Sequence, residues 1–413
     1  MTEPYLLAFG PARQAFLDDV FALAQATGGE ARLVGGVVRN ALLANHHGLS
    51  FAADQDLDLA VSLPITRFAE AARDAGFSVY DTGLAHGTVT LRQQGQSAEI
   101  TQLRTDTETD GRHARILPTD SWAEDAKRRD FTINALYLDA SGQLFDPVGG
   151  LADLQAWRLR FVGDPARRLR EDHLRSLRAL RFLATYPDLV MAEADRAAIA
   201  VHTHLLPNLS AERIASELNR LMAGPAARSV LLYAAELHLD HILFDAPFRT
   251  DALTHDAVAS VWGALSFAAR LSFCLPPGAR ASAGPRLRLS RSDSRYLEQA
   301  DRPADPAVRD ILLGEGWARS AYRLGPAAGL QALDQALDTG QILTAARLRQ
   351  IVFFQPPPCP VKGRDIVHHY RLEGTAVGLR LAALEQLWVD TDFTLSADQL
   401  LALYDKNKSI TSS

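Results

Sequence analysis

The chain reads Leu-Val-Gly-Gly-Val-Val-Arg at residues 33–39 and Asp-Leu-Asp-Leu-Ala at residues 56–60. Side chains two positions apart in a strand point to the same face. The second stretch therefore predicts a strand that places Asp56 and Asp58 side by side and sends its leucines into the core. Two carboxylates held this close repel each other unless a cation lies between them. Paired carboxylates that share an ion with substrate phosphates are typical of Mg²⁺ sites, so we predict that both aspartates bind this metal.

The glycine pair before this strand is the second part of the pattern. Gly35 and Gly36 carry no side chain and let a phosphate approach the backbone closely, and Arg39 can pair with that phosphate. A nucleotide-binding turn is therefore one interpretation. An ordinary glycine turn followed by an exposed acidic strand edge is the other.

Composition and charge narrow the class of protein. Of 413 residues, 47% are hydrophobic and 22% are charged, which is typical of a globular chain with several domains. The formal net charge of -6 argues against indiscriminate nucleic-acid binding but permits a local basic groove. Cys274 and Cys359 lie far apart and form neither a disulfide framework nor a zinc motif, which favours a reducing compartment. No signal-peptide pattern and no bilayer-length apolar run is present, so we expect a cytoplasmic protein without membrane contact.

Strand and helix patterns change along the chain. Short strands and helices alternate in the first third, and a Gln/Gly turn between residues 88–91 and 98–103 predicts a β-hairpin. After residue 151 the strand signals fade and helical spacing dominates. The expected fold is an α+β head, with a small, mixed and largely antiparallel sheet, followed by an all-helical remainder. The proline- and glycine-rich segments 276–285 and 356–358 predict linkers.

A third carboxylate would let the protein hold two metal ions. Glu99 lies on the second strand of the predicted hairpin, where it can face the aspartate pair; a surface glutamate on a strand is the alternative. Two metals stabilise the attacking and the leaving oxygen of an in-line displacement. Nucleotidyl transfer depends on such positioning and charge neutralisation more than on covalent chemistry.

Two further polar clusters fit nucleotide recognition. The first consists of Arg128, Arg129, Asp130 and Asn134. Paired arginines beside small polar groups suit a triphosphate and ribose hydroxyls, and a solvated basic turn is the alternative. The second is the polar stripe of a predicted helix and consists of Asp172, Arg175, Arg178 and Arg181. An aspartate and an arginine together can read a base edge, and a salt-bridge ladder on a surface helix is the alternative.

The order of these motifs resembles that of class II tRNA nucleotidyltransferases and bacterial poly(A) polymerases, a branch of the polymerase-β-like nucleotidyltransferase superfamily. The resemblance extends from Leu33 to about Leu218. It implies a polymerase-β-like head at residues 1–146, a helical neck with a nucleotide template and RNA-binding residues at 147–224, and a tRNA-binding helical body and tail at 225–413. It also implies an enzyme that adds C, C and A to the 3′ end of tRNA from CTP and ATP, with Mg²⁺ as cofactor. A poly(A) polymerase that adds A tails to RNA is the alternative.

The resemblance also assigns roles to residues. The expected catalytic set is Asp56, Asp58 and Glu99, of which the two aspartates bind metal. The expected nucleotide-binding set is Gly35, Gly36, Arg39, Arg128, Arg129, Asp130, Asn134, Asp172, Arg175, Arg178 and Arg181. Asp172 and Arg175, with Glu171, would act as a protein template that pairs with the base, braced by segment 210–218. The polar stretch 105–121, in which we expect a mobile loop, resembles the family's flexible loop, which is associated with addition of the terminal A.

Three positions depart from the family pattern. Asn40 stands where aspartate is usual, which is expected to weaken a supporting contact. Val61 replaces a common threonine, and His173 replaces a proline, so the start of the template helix is expected to differ. None of these changes removes a predicted metal ligand.

A catalytically silent RNA-binding relative and a small-molecule nucleotidyltransferase are the remaining alternatives. The intact carboxylates argue against the first. The long helical remainder and a set of basic residues favour a large anionic acceptor over a small molecule. That set comprises Arg158, Arg160, Arg167, Arg168 and Arg170. The sequence leaves the oligomeric state open.

Overall fold

The computed structural model describes residues 4–5, 7, 9–52, 54–84, 87–106 and 116–411. The chain forms two compact units, Met1–Val230 and Leu231–Ser413. The first unit contains all the described strands, and the second is helical. This confirms the expected α+β head followed by a helical remainder. The predicted boundaries at residues 146 and 224 stay predictions.

The first unit is built on one mixed sheet. The described strands are β1 (Ala31–Val34), β2 (Asp58–Val61), β3 (Ser78–Gly83), β4 (Thr88–Gln93), β5 (Gln96–Gln102), β6 (Arg104–Asp106), β7 (Ile116–Pro118), β8 (Tyr137–Leu138), β9 (Leu144–Phe145), β10 (Arg158–Leu159) and β11 (Val190–Met191). Seven of these described strands form the sheet, in the order β3-β4-β5-β2-β1-β8-β9. Neighbours are antiparallel except β2 and β5, which run parallel. The pairs β6–β7 and β10–β11 form separate ribbons.

The β4–β5 hairpin confirms the predicted turn. Gln94 and Gly95 connect the strands and have φ values of 49° and 79°. Two consecutive positive φ angles are typical of the tight two-residue turns that match strand twist. Along β5, Ala98 and Ile100 are buried, whereas Glu99 between them is exposed. The alternation read from the sequence therefore sets which face Glu99 occupies.

The strand predicted from residue 56 begins two residues later. β2 starts at Asp58, so Asp56 lies in the segment that leads into the strand. Leu57 and Leu59 are buried as expected, with 2% and 1% of their surface exposed. The prediction that both aspartates lie on one strand was therefore wrong, because the pairing of β2 with β1 and β5 begins only near Asp58.

Helices alternate with the strands of the first unit and continue to the end of the described chain. Those before residue 226 are α1 (Pro11–Ala26), α2 (Gly36–His47), α3 (Ile65–Asp74), α4 (Trp122–Arg128), α5 (Gly150–Gln155), α6 (Pro165–Glu171), α7 (Leu174–Thr185), α8 (Glu193–His202) and α9 (Ala211–Ala223). Those that follow are α10 (Ala227–Glu236), α11 (Leu239–Phe244), α12 (Thr250–Thr254), α13 (Asp256–Trp262), α14 (Phe267–Cys274), α15 (Arg280–Arg286), α16 (Arg291–Asp301), α17 (Pro306–Asp310), α18 (Trp317–Leu324), α19 (Ala328–Thr339), α20 (Ala345–Val352), α21 (Gly363–Tyr370), α22 (Thr375–Asp390) and α23 (Ala397–Thr411). None of the described helices is long and apolar enough to cross a membrane.

The helix predicted to carry Asp172 together with the arginines is interrupted. Asp172 lies between α6 and α7 with an extended backbone, and its Oδ1 accepts a hydrogen bond from the Leu174 N–H at 3.1 Å. The aspartate therefore lies before His173, the N-cap residue of α7, and not on the polar stripe of this helix. Arg175, Arg178 and Arg181 do share a face of α7.

Ser210 is the N-cap of α9. Its hydroxyl accepts a hydrogen bond from the Arg213 N–H and starts α9. α9 packs along α7, and at its end Gly224 comes so close to Ala184 that an added Cβ would lie 2.4 Å from the Ala184 carbonyl oxygen. α7 is thus packed closely against α9.

One of the two predicted linkers folds. Residues 280–286 form α15, and Arg280 is only 1% exposed. Its guanidinium pairs with Asp334, so this proline- and glycine-rich stretch packs into the second unit through a buried ion pair. Residues 356–358 lie outside regular secondary structure, as expected.

Candidate active site

The parallel pairing of β2 and β5 brings two predicted carboxylates together. Asp58 lies directly opposite Glu99 in the strand register. The Glu99 N–H donates to the Leu57 carbonyl oxygen at 2.8 Å and fixes this register. Asp58 is half-buried, whereas Glu99 and Asp56 are exposed. The sequence pattern alone could not align Glu99 with Asp58, because that alignment comes from a parallel pair of strands distant in sequence.

The electrostatics of Asp58 reflect this crowding of negative charge. Burial, Glu99 and Asp56 raise the pKa of Asp58 to about 6, and Arg129 and Arg39 act in the opposite direction. A bound cation would relieve the repulsion among the three carboxylates. Their hard oxygen atoms are the donors that divalent cations of the Mg²⁺ type prefer, so the donor chemistry fits such an ion. Among the described residues, no three His, Cys, Asp or Glu side chains form a ready-made metal-binding group.

The glycine turn lies against the Asp58 carboxylate. Gly35 has a φ of +75°, and a Cβ at this position would lie 3.5 Å from Asp58 Oδ2. Gly36 begins α2, and no side chain caps this helix end. The N-terminus of a helix presents backbone N–H groups and the positive end of the helix dipole, which together suit a phosphate. The turn therefore offers groups of the kind that bind an anion, and it lies beside the Asp58 carboxylate.

Arg39 carries a buried positive charge next to this turn. The residue is 9% exposed, and its guanidinium lies 5.0 Å from the ring centre of Phe182 and 5.3 Å from that of Tyr186. Its donors reach Asn134 Oδ1 at 2.5 Å and the Tyr186 hydroxyl at 3.2 Å. Among the described residues it forms no ion pair with a carboxylate. A charge held by neutral partners remains available to attract an anion.

Asn40 preserves the contact that aspartate would make. Its Oδ1 accepts hydrogen bonds from Arg39 Nε at 3.1 Å and from the Tyr186 hydroxyl at 2.6 Å. Its Nδ2 donates to Gln55 Oε1 at 2.8 Å, which an aspartate could not do. Asn40 therefore lacks the negative charge of an aspartate but still accepts the hydrogen bond from Arg39 Nε. It also links α2 to the residue before Asp56.

Asp125 was missed by sequence reasoning and organises the arginine pair. The residue is fully buried, and its carboxylate lies 2.7 Å from Arg128 and 3.0 Å from Arg129. It also accepts a hydrogen bond from the Tyr137 hydroxyl at 2.7 Å. Burial alone would raise the pKa of Asp125, but Arg129 and Arg128 lower it below its usual range. Helical spacing from the Ser121 cap was the available signal, because it places this acid on the same face as the arginines.

The predicted ribose-binding residues form one continuous chain of contacts. Asp130 accepts hydrogen bonds from Asn134 Nδ2 at 3.1 Å and from Arg178 Nε at 2.8 Å. Although burial opposes it, Arg178 and these hydrogen bonds hold the pKa of Asp130 at about 2. Asn134 in turn binds Arg39, and Arg181 pairs with Glu217 of α9 at 2.9 Å. The structure thus joins the glycine-turn arginine to the template helix.

The two predicted base-reading residues have separate partners. Arg175 is 9% exposed and donates to the Arg168 carbonyl at 2.7 Å, to Glu171 Oε2 at 2.9 Å and to the Arg128 carbonyl at 3.3 Å. Asp172 binds Arg213 at 3.0 Å. The two residues are joined by the Arg175 N–H, which donates to the Asp172 carbonyl at 3.1 Å, but their side chains bind different partners.

Two further expectations concern the predicted flexible loop and the set of basic residues near α7. Residues 107–115 of the predicted loop lie outside the described residues, and the described flanks pair as β6 and β7. The basic residues taken as evidence for an anionic acceptor are partly paired with acids. Arg158 and Arg160 share Asp153, and Arg167 and Arg168 share Glu171. Because four guanidinium groups share two carboxylates, this set keeps a net positive charge beside α7.

Comparison with known proteins finds similar sequences and similar structures. Residues 31–160 match the Poly A polymerase head domain, and residues 188–252 match the probable RNA and SrmB-binding site of polymerase A. The human mitochondrial CCA tRNA nucleotidyltransferase 1 is 29% identical over 407 residues, which cover 91% of this chain and 87% of that protein. The chain is similar to members of the tRNA nucleotidyltransferase and poly(A) polymerase family.

Other members of this nucleotidyltransferase family match at different lengths. The CCA-adding enzyme of Lacticaseibacillus paracasei is 37% identical over 257 residues, or 60% of this chain and 62% of that protein. The mouse mitochondrial CCA tRNA nucleotidyltransferase 1 is 37% identical, but the match spans only 47% of its length. The crystal structure of the Bacillus stearothermophilus CCA-adding enzyme in complex with CTP has a TM-score of 0.73 and 25% identity. That comparison covers 98% of this chain and 100% of the other, so the nucleotidyltransferase fold extends over both units.

Proposed function

We propose that the protein is a template-independent tRNA nucleotidyltransferase that adds C, C and A to the tRNA 3′ end from CTP and ATP. One observation carries the proposal: the parallel register sets Asp58 opposite Glu99, and Asp56 and Glu99 help to raise its pKa. Carboxylates that repel each other beside an anion-binding turn suit the transfer of a nucleotide through metal ions. The names of the similar proteins and the CTP complex of the Bacillus stearothermophilus enzyme support the choice of substrate.

In the proposed mechanism, the 3′-hydroxyl of the tRNA loses its proton to solvent as its oxygen attacks the α-phosphorus, a new O–P bond forms, and pyrophosphate leaves with the electrons of the broken P–O bond. Asp56 and Asp58 would hold divalent cations, which we expect to be Mg²⁺, with Glu99 as the third carboxylate. Such ions, when bound, neutralise the triphosphate and stabilise the attacking and leaving oxygens.

The protein's own groups would then position the nucleotide. The N–H groups at Gly35 and Gly36 and the buried charge of Arg39 would bind phosphate oxygens. Arg128 and Arg129, held in place by Asp125, supply further donors for the triphosphate. Asp130 and Asn134 would accept or donate hydrogen bonds at the ribose hydroxyls.

Selection of the base requires an exchange of partners. Arg175 would leave the Glu171 carboxylate and the Arg128 carbonyl to donate to the acceptors of a cytosine or adenine ring. Asp172 would turn from Arg213 to accept from the exocyclic amine. Because both side chains have protein partners in this structure, each base contact replaces an existing hydrogen bond. Arg178 and Arg181 keep α7 in place during this exchange through their ion pairs with Asp130 and Glu217.

Nucleotide incorporation on a staged set of substrates tests this proposal. Purified protein is incubated with tRNAs that end before the CCA sequence, after one C and after two C, each with CTP, with ATP or with both. We expect C on the first two substrates and a single A on the third. Sustained A addition would contradict CCA addition and favour a poly(A) polymerase, to which the matched head-domain description also applies.

A pair of matched variants tests the metal assignment. Asp58→Ala should abolish incorporation and retain tRNA binding. Asp81→Asn removes an exposed carboxylate of the same sheet, which pairs with Arg73 at 3.1 Å, and should retain activity. Equal activity of both variants would show that the carboxylate site is not catalytic. The two cysteines, both free, fit the proposed cytoplasmic location.

A further inference from the structure

The segment that carries Asp56 lies just outside the paired part of β2. Pairing with β5 begins at the next residue, where the Leu57 carbonyl oxygen accepts from the Glu99 N–H at 2.8 Å. Asp56 itself is exposed and has no regular secondary structure. A functional side chain on such a segment must be fixed by its neighbours, because a metal ligand works only within a narrow range of positions.

Two contacts restrain the ends of this segment. At its start, the ring of Phe51 packs edge-to-face on the ring of Phe9, and the ring centres lie 5.7 Å apart. At its end, the Arg13 guanidinium of α1 donates to the Gln55 carbonyl oxygen. That carbonyl belongs to the planar peptide group that leads into Asp56, so the contact orients the backbone directly before the expected metal ligand.

The side chain of Gln55 adds a contact at each end of its amide. Its Oε1 accepts a hydrogen bond from Asn40 Nδ2 at 2.8 Å, and its Nε2 donates to the Ala52 carbonyl oxygen at 2.9 Å. The first contact joins the segment to α2, and the second reaches back three residues along the segment itself. Gln55 therefore links Asp56 to α1, to α2 and to the preceding turn.

Asn40 sets the direction of the Gln55 amide. Its Oδ1 accepts from Arg39 Nε at 3.1 Å, from Arg39 Nη2 at 3.0 Å and from the Tyr186 hydroxyl at 2.6 Å. Because a guanidinium group can only donate, the oxygen of Asn40 faces Arg39 and its NH₂ group faces Gln55. Gln55 then presents its own oxygen to Asn40, and its NH₂ group is left for the Ala52 carbonyl. Each donor in this series meets an acceptor.

We propose that Gln55, oriented by Asn40, is a positioning residue for the metal ligand Asp56; the inference rests on the proposed function and deepens it. Gln55 acts through Asp56, and partners of this kind contribute about 10- to 100-fold to metal affinity. An aspartate at position 40, which the family pattern would supply, has no N–H group to donate to Gln55. The asparagine at position 40 and the glutamine at position 55 therefore act as a matched pair.

Metal binding in the absence of nucleotide tests this role. The Kd for Mn²⁺ is measured from the electron paramagnetic resonance signal of the free ion, for the full chain and for two variants. Gln55→Met keeps the length of the side chain but removes both of its hydrogen bonds, so Kd should rise about 10- to 100-fold. The control Gln102→Met changes a half-buried glutamine of β5, whose Oε1 accepts from the Ile65 N–H at 3.0 Å, and should keep the wild-type Kd. A wild-type Kd in Gln55→Met, or equal losses in both variants, would overturn the proposal.

Backbone dynamics give a second readout that needs no metal. Nitrogen-15 relaxation of the Asp56 amide should give an order parameter of about 0.85 in the wild type and in Gln102→Met, and below about 0.6 in Gln55→Met. Asn40→Asp should lower the order parameter as well. The introduced carboxylate would face the Gln55 oxygen, and turning the Gln55 amide would place that oxygen against the Ala52 carbonyl. A wild-type order parameter in Gln55→Met or in Asn40→Asp would contradict the positioning role.

Incorporation assays separate this inference from the proposed function. In Gln55→Met the Mg²⁺ concentration for half-maximal incorporation should rise about tenfold. The kcat at saturating Mg²⁺ should stay close to the wild-type value, because excess metal restores occupancy of a weakened site. Wild-type protein that binds Mn²⁺ and holds Asp56 rigid but incorporates no nucleotide would contradict the proposed function only. A Gln55→Met variant that completes CCA with the wild-type Mg²⁺ requirement would contradict the role of Gln55 only.

Discussion

Replacement of Asp125 by asparagine should destabilise the first unit far more than any change at its exposed neighbour. The Asp125 carboxylate has no exposed surface and meets two guanidinium groups, at 2.7 Å and 3.0 Å, and one tyrosine hydroxyl. Removing one member of a buried ion pair costs about 3 to 5 kcal/mol, because the remaining charge is left without compensation. Asparagine keeps one acceptor for Tyr137 but loses the charge that both arginines need. We therefore expect the free energy of unfolding to fall by about 4 kcal/mol.

The adjacent acid supplies the control for this measurement. Glu124 pairs with Lys127 at 2.7 Å, but the two side chains are 44% and 64% exposed. An exposed pair of this kind contributes less than about 0.5 kcal/mol, so Glu124→Gln should unfold like the wild type. Urea titration gives the free energy, and hydrogen exchange of the peptide that covers α4 reports whether the loss is local. A loss below about 1 kcal/mol for Asp125→Asn, or equal losses in the two variants, would refute the reasoning.

Acid titration provides a second signature of the same group. Since the pKa of Asp125 is lowered in the folded state, its contribution is present above the unfolded pKa and disappears as the pH falls. Asp125→Asn should therefore flatten the acid limb of the stability curve. Folded variant protein should also show a raised KM for CTP, because Arg128 and Arg129 are no longer held in place. An unchanged acid limb would contradict the role of the carboxylate charge.

Three further predictions follow from other parts of the structure. The pKa of Asp58 is raised to about 6 in the folded state, which therefore binds the proton more tightly than the unfolded state. The free energy of unfolding should fall by up to about 3 kcal/mol as the pH rises from about 4 to about 6. Urea titrations should show that Asp58→Asn removes this fall, and added Mg²⁺ should stabilise the wild type more at pH 7.5 than at pH 5.5. A Cβ at Gly150 would lie 2.1 Å from the Thr132 carbonyl oxygen, so Gly150→Ala should cost about 3 kcal/mol. A Cβ at Gly378 would have no atom within 4 Å, so Gly378→Ala should raise the free energy of unfolding by about 1 kcal/mol. Thermal melts in which Gly150→Ala is more stable than Gly378→Ala would contradict this prediction. Arg213→Ala removes the partner of the Asp172 carboxylate and should change the ratio of kcat/KM for CTP to kcat/KM for ATP about tenfold. The free energy of unfolding should change by less than about 1 kcal/mol. An unchanged ratio would show that Asp172 does not take part in base selection.

The local patterns of the head were sufficient to predict its elements but not their pairing. Alternation placed Leu57 and Leu59 in the core, and the Gln94-Gly95 pair marked the hairpin, because side-chain period and turn conformation are local properties. The parallel neighbour of β2 could not be read in this way. It depends on which strand edges meet after the chain has folded, and no local signal encodes that meeting.

Charge pairing also depended on tertiary structure. The sequence displays the arginine pair and the polar stripe of α7, but it does not reveal that Asp125 is buried beneath the former or that Asp130 neutralises Arg178. It likewise suggested free basic residues beside the template helix, where the folded chain pairs Arg160 and Arg167 with acids.

The sequence by itself determined the order of motifs, the chemical types of the site residues and the change from strands to helices, because these properties reside in short stretches of chain. Only the tertiary structure decided that Asp58 faces Glu99, that Arg39 is buried among neutral partners, and that Asp172 and Arg175 bind separate groups. These are relations between residues distant along the chain. Their distances and burial follow from packing, and packing sets the charge state and availability of each group.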